Sequence, residues 1–252
     1  MNHKKWSVLG TALGVGAALL VLTPGTAGAA AHNCPLPKFG PGASYDPHFT
    51  PGPHTANVTN PWFPLPVGTT MVYAGTKDGK TALDIVTNSR ATRVIDGVRT
   101  RVVEDRLFLS GKLEERTSDY YAQDRCGNVW YFGEDTAELD SHGHVVDTSG
   151  SFHAGIDGAK PGVFMQAHPQ LGRTFRQEWY AGEAEDTFTA IDLNASVRVP
   201  FGNFRHALRT KETTALEPGV VDNKYYVKGI GEVLEKTVKG GSEALVLVEV
   251  LS

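Results

Sequence analysis

Two cysteines in 252 residues are too few for a disulfide-dense scaffold or a four-thiolate zinc site, so a hydrophobic core has to hold the chain together. Amphipathic runs of helical length are missing as well. That removes the alternating strand-helix pattern of nucleotide-binding and hydrolase folds. No Gly-x-Ser-x-Gly elbow occurs, and no His-Glu-x-x-His pair is present, which leaves serine hydrolase and zinc protease chemistry without their signatures. Gly229-Ile230-Gly231 lacks the third glycine and the following helix of a nucleotide loop, and reads as a turn or bulge. Basic excess is also absent: outside the first segment, 22 Lys and Arg face 28 Asp and Glu, a balance that excludes nucleic acid and anionic membrane as natural partners.

A long hydrophobic run occurs once, at the start. Lys4 and Lys5 precede an apolar stretch from Val8 to Leu22, followed by Pro24-Gly25 and small residues. This is the three-part pattern of a secretory signal peptide over residues 1–31, with cleavage after Ala29 or Ala31. The run is short for a spanning helix. The Ala31-His32-Asn33 that precedes Cys34 does not fit lipoprotein processing. The expectation is a secreted, extracellular protein with no stable membrane anchor. In an oxidising compartment its two cysteines read as one bridge, Cys34–Cys126.

What is abundant comes in two blocks. Residues 32–66 hold nine prolines together with Phe39, Tyr45, Phe49, Trp62 and Phe63. So many prolines forbid helix and central strand, and the aromatics argue for an extended arm packed on the body. From residue 67 to 252 the chain reads as a single β domain of period-two runs, punctuated by turn signals at Asp78-Gly79, Asp96-Gly97, Ser110-Gly111, Ser141-His142-Gly143 and Gly240-Gly241. Expected strands include Thr81–Thr87, Ala91–Ile95, Val98–Leu109, Lys112–Gln123 and His144–Phe152, and sequential hairpins without crossover helices predict an all-β antiparallel meander, closed into a barrel or a strongly curved sheet. Its centre is the aromatic hairpin Asp119–Asp135, DYYAQDRCGNVWYFGED. The glycine- and proline-rich segment Ala154–Arg173 breaks the rhythm and is expected to be a partly mobile flap over one end of the barrel, with a well-packed Ω-loop plugging it as the alternative.

Several segments, NPWFPLPVGT from Asn60, YAQDRCGNVWYFGEDT from Tyr121, GIDGAKPG from Gly155, AGEAED from Ala181 and LEPGVVDNKYYVKGIG from Leu216, resemble a family of uncharacterised secreted bacterial all-β proteins. The Tyr-Tyr-x-x-Gly-x-Gly turn ending at Gly231 also resembles one in bacterial envelope proteins that fold as half-barrels holding apolar ligands. These resemblances imply architecture and export, and supply no catalytic residues. The chain departs from the family pattern near His153, where that pattern carries an acid.

Candidate sites follow from residue chemistry. Trp130, Tyr131, Trp179, Phe164 and Met165 are the expected ligand-binding side chains of a pocket that takes a small apolar ligand or a cell-surface glycan. If AGEAED is strand, Glu183 and Glu185 share a face at a separation of about 6.5–7 Å. The commoner role of such acids is a solvated strand face or turn, with a metal or ligand contact next, but the pair can also bracket a glycosidic bond, so a carbohydrate-active enzyme is the alternative to a binding protein. Asp119, Asp124, Asn128, Glu134 and Asp135 make an oxygen-rich set that would suit calcium, although turn stabilisation is the commoner role of such residues. His142 and His144 fall on one face across Gly143 and read as exposed loop histidines, with a transition-metal site as the alternative. Cleavage after Ala31 would also expose His32 as an amino-terminal copper chelator.

Overall fold

The alternation and turn chemistry produce an all-β chain. The structure, a computed structural model, describes residues 34–252; the leader, its cleavage sites and His32 lie outside the described residues. Among the described residues there are fifteen strands: β1 (Thr70–Lys77), β2 (Lys80–Ile95), β3 (Val98–Leu109), β4 (Lys112–Gln123), β5 (Val129–Leu139), β6 (Val145–Asp147), β7 (Phe152–His153), β8 (Lys160–Met165), β9 (Thr174–Arg176), β10 (Glu178–Trp179), β11 (Asp186–Val199), β12 (Gly202–Thr214), β13 (Val221–Val227), β14 (Gly231–Lys239) and β15 (Ala244–Leu251). Among the described residues, no helix is long and apolar enough to cross a membrane.

Thirteen of these strands form one antiparallel path, β10-β8-β5-β4-β3-β2-β1-β15-β14-β13-β12-β11-β9, while β6 and β7 pair with β5 beside it. The two ends of the path are neighbours in sequence. β9 pairs with β11, β10 pairs with β8, and Gln177 alone separates them, so the sheet curls until it is nearly a closed barrel. Gly162 makes that closure sterically feasible, because a Cβ there would lie 2.1 Å from the Gln177 carbonyl carbon. Hairpins turn at Asp78, Asp96 and Ser110, each a non-glycine residue with positive φ, as the Asp-Gly and Ser-Gly signals require.

Three sequence expectations need correction. Thr81–Thr87 and Ala91–Ile95, expected as separate strands, are one strand, β2, whose pairing to β3 slips between Asn88 and Thr92. The expected strand His144–Phe152 shrinks to β6 and β7 at the edge of β5. Ala154–Arg173 is not a flap, for it contains β8, hydrogen-bonded to β5 on one side and β10 on the other, with Val163 and Met165 fully buried. Proline at position 161 and glycine at position 162 are tolerated because β10 is only two residues long, so the ladder there is short.

The arm wraps the barrel. Its carbonyls are pinned by arginines of the body: Arg176 donates to Gly40 O at 3.0 Å, Arg125 to Pro51 O at 3.1 Å and Arg101 to Ala56 O at 3.1 Å. Cys34 and Cys126 are disulfide-bonded, tying the start of the arm to the β4–β5 turn. Further along, the Asn60 side chain accepts from Trp62 N and Phe63 N and donates to Gly127 O at 2.8 Å. Pro61 O accepts from Gly229 N at 2.7 Å. Residues 60–66 therefore bridge the β4–β5 turn and the β13–β14 turn, lying as a strap across one end of the barrel.

Candidate functional site

Period-two geometry sends alternate residues of each strand to opposite faces. On the inner face this brings together Met71 and Tyr73 from β1, Asp84, Val86 and Asn88 from β2, Val103 and Asp105 from β3, and Asp119 and Tyr121 from β4. Across from them stand Lys224 of β13 and Glu232 and Glu235 of β14. Together with Phe63 of the strap and Phe164 of β8 they enclose a cavity of about 240 Å³.

The lumen is layered. Toward the strap lies an aromatic group: Phe63 contacts Phe164 at 4.6 Å and Tyr121 at 5.2 Å between ring centroids, and Tyr121 stacks on Tyr131 at 4.8 Å. The other side is an aliphatic cluster that includes Leu107, Leu109, Val197, Val233 and Leu247. Between them runs a belt of acids. Asp84 donates its proton to Asp105, and burial followed by the charge of Asp105 pushes the Asp84 carboxyl up to about 10. Burial, then Asp105, raises Asp119 to about 8 even though Tyr131 Oη donates to it at 2.5 Å. Burial likewise takes Glu232 to about 8 against the pull of Lys224.

Lys224 is the belt's cation. Its Nζ lies 3.3 Å from Glu235, 3.7 Å from Glu212 and 3.8 Å from Glu232. Burial alone would lower its pKa, but these three carboxylates outweigh that and hold it well above the ordinary value. Glu212 also accepts from Thr210 Oγ1 at 2.9 Å. The Asp84 carboxyl, apart from the proton it shares with Asp105, has a buried oxygen, Oδ1, at the cavity wall with no other donor, and buried polar atoms in native proteins are nearly always paired.

The sequence-predicted residues are dispersed relative to this cavity. Phe164 lines it and Tyr131 stands behind Tyr121. Trp130 points the other way, into a dry cluster with Phe132, Phe175 and Phe188, where Phe49 of the arm meets it edge-on at 5.8 Å. Trp179 lies outside as well, sandwiched between Arg176, at 4.4 Å from its ring, and Gly42 of the arm. Met165 is core, packed with Val129, Leu208 and Tyr226. Glu183 and Glu185 do not form a strand pair: Tyr180 O accepts from Glu183 N and Ala184 N in a tight turn, and Glu185 accepts from Gly182 N at 2.9 Å.

The oxygen-rich set of the aromatic hairpin is split three ways. Asp124 accepts from Cys126 N, Asn128 N, Asn128 Nδ2 and Trp130 Nε1, between 2.8 and 3.1 Å, so both its oxygens are spent on holding the turn. Asp135 faces outward among Arg93, Tyr120 and His153, and its hydrogen bonds from Tyr120 and Arg93 outweigh desolvation and hold its pKa low. Asp119 and Glu134 do meet, as register partners on β4 and β5. Gly133, with φ 141°, forms the bulge that turns Glu134 inward. Among the described residues, the side-chain groups with metal-binding geometry are Cys34-Asp124-Cys126, whose thiols are consumed in the disulfide, and Asp140-His142-His144.

Sequence reasoning missed Asp84, Asp105, Glu232 and Lys224. The available signal was register: Asp84, Val86 and Asn88 share a face with Ala82, but a strand reading KTALDIVTN invites Leu83 rather than Asp84 into the interior. Leu83 is instead 39% exposed.

No family model matches the chain. No curated protein matches it either. Two solved structures are similar in fold. One is a protein of Bacteroides fragilis NCTC 9343 described as exported and YmcC-like in fold, with 13% identity and a TM-score of 0.43, covering 76% of this chain and 99% of that one. The other is a Parabacteroides distasonis ATCC 8503 protein described as a lipoprotein, with 10% identity and a TM-score of 0.41, covering 75% of this chain and 98% of that one. At such identity and overlap the likeness carries no functional argument.

Proposed function

We propose that this chain is an exported binding protein whose barrel lumen holds one small amphipathic molecule, an aromatic or aliphatic body bearing a basic or hydrogen-bond-donating group. Export is supported by the leader pattern and by the Cys34–Cys126 bridge, which suits an oxidising compartment. The observation that carries the ligand class is the acid belt: Asp84, Asp105 and Asp119 share a cavity whose lysine is already engaged by Glu212, Glu232 and Glu235. A bound cation would favour release of the protons that burial keeps on Asp84 and Asp119 and would bring a donor to the Asp84 carboxyl. Phe63, Tyr121 and Phe164 would take its apolar part and offer ring faces to the charge.

Size supports a small molecule over a polymer. A cavity of about 150 Å³ accommodates benzene, so about 240 Å³ suits a ring with a short side chain. No observation favours the glycosidase alternative, since Glu183 and Glu185 lie in a turn. The test is calorimetry at pH 7 with three near-isosteres: 2-phenylethylamine, 2-phenylethanol and phenylacetate. Binding in the order amine, alcohol, carboxylate, abolished by Tyr121→Trp to fill the cavity, is the predicted result. Preference for the carboxylate, or no binding by any of the three, would overturn the reading.

A further inference from the structure

The β5–β6 hairpin gathers a carboxylate and two imidazoles within 4.8 Å. The segment Asp140-Ser141-His142-Gly143-His144 makes a tight loop in which Asp140 N donates to His144 O at 2.9 Å and Gly143 N donates to Asp140 O at 3.0 Å. The two oxygens of Asp140 have separate jobs. Oδ1 accepts from the backbone amides of His142 at 2.8 Å and His144 at 2.9 Å. That leaves Oδ2 facing both imidazoles, 3.2 Å from His144 Nδ1 and 3.8 Å from His142 Nδ1. The rings lie nearly parallel, with centroids 6.0 Å apart and planes at 26°. All three ligand atoms fall within 4.8 Å of one another.

We propose that Asp140 Oδ2, His142 Nδ1 and His144 Nδ1 form a surface site for a zinc-like divalent transition metal, with the remaining position open to water. Bonds of about 2.0–2.2 Å at tetrahedral angles place neighbouring ligand atoms about 3.3–3.5 Å apart. The observed 3.2 and 3.8 Å bracket that separation, and the two histidine nitrogens lie within 4.8 Å of each other, so an ion can enter by rotation of the exposed side chains. The donor set selects the ion. Two imidazoles and one carboxylate suit zinc, cobalt, nickel or copper, whereas calcium and magnesium prefer all-oxygen sites. The backbone bonds to Oδ1 do the work of an outer shell, fixing the carboxylate so that its second oxygen stays aimed at the rings.

This site stands on the outer surface, with both histidines more than three-quarters exposed, so it is separate from the lumen and independent of the ligand reading above. The experiment is calorimetric titration of the exported protein with zinc chloride, paralleled by cobalt(II) and its visible absorption bands. One equivalent of zinc should bind, and cobalt should give bands of the intensity typical of low coordination. The H142Q/H144Q double variant should lose both signals, each single variant should weaken zinc at least tenfold, and His48→Gln, on the arm, should change neither. Because the loop is exposed, the variants keep the far-ultraviolet circular dichroism of the parent. Absence of zinc binding, or binding unchanged in the double variant, would overturn the proposal.

Discussion

The barrel wall has two faces, and their chemistry is the reverse of what a globular domain leads one to expect. On the outer face of β3, β4, β5 and β8, Val102, Tyr120, Trp130, Phe132 and Val163 form a dry cluster closed over by Leu36 and Phe49 of the arm. On the inner face of the same strands and their neighbours, Asp84, Asp105 and Asp119 line a cavity with one lysine across from them. Tyr120 and Tyr121 are adjacent in sequence and belong one to each face. The difference separates two tasks: the arm-covered wall supplies cohesion, and the lumen, relieved of that duty, can tolerate buried acids at a cost in stability.

That division is broken most severely by Trp130→Ala, which empties a fully buried site and takes one donor from Asp124. The expected loss is about 3–5 kcal/mol by urea denaturation, independent of pH between 5 and 8. Lys224→Met strikes the other face and leaves Glu212, Glu232 and Glu235 without their cation. It should cost about 3 kcal/mol at pH 8 and distinctly less at pH 5, where the acids can protonate. Asp84→Asn should act in the opposite direction, stabilising by at least about 1 kcal/mol at pH 8 and by almost nothing near pH 4. Replacing Glu183 and Glu185 together by Gln should stay within about 0.5 kcal/mol and leave ligand binding unchanged, as befits a surface turn.

The pH dependence follows from the direction of the shifts. Unfolded, these acids titrate near about 4; folded, Asp119 and Glu232 titrate at about 8 and Asp84 at about 10. Between the two values the folded chain binds more protons than the unfolded one, so the stability from these groups is full below about pH 4, falls progressively as pH rises to about 8 for Asp119 and Glu232 and to about 10 for Asp84, and levels off above that. Asp135, whose pKa is held low by Tyr120 and Arg93, acts oppositely and only below about pH 4. The melting temperature should therefore fall between pH 5 and pH 8.5, and an amine ligand should recover part of that loss by binding the ionised belt.

Much of the wall was legible in the sequence and little of the lumen. β3 and β4 match the expected strands residue for residue, because Asp96-Gly97 and Ser110-Gly111 fix both ends of β3 and the start of β4. Aromatic and β-branched residues identify Trp130 and Phe132 as core, but a composition argument cannot tell a core facing the arm from one facing a ligand. That choice depends on register, and the bulge at Gly133, opposite Asp119–Tyr121, shifts it midway along β4 and β5. The acids were hidden for a different reason: an Asp in a strand reads as solvated, and only closure of the sheet through Gln177 turns Asp84 and Asp105 toward Lys224. Proline and glycine make β8 read as a flap in the sequence, although a short ladder accommodates both.

The account stands on the belt's being protonated inside a folded barrel. Carbon-13 NMR titration of the side-chain carboxyls, from pH 3 to pH 11 on the ligand-free protein, reads this directly. The prediction is that Asp119 and Glu232 titrate near 8 and that the Asp84–Asp105 pair loses its last proton near 10, with all of them moving down when 2-phenylethylamine is added. Ordinary midpoints near about 4 for these carboxyls would contradict it.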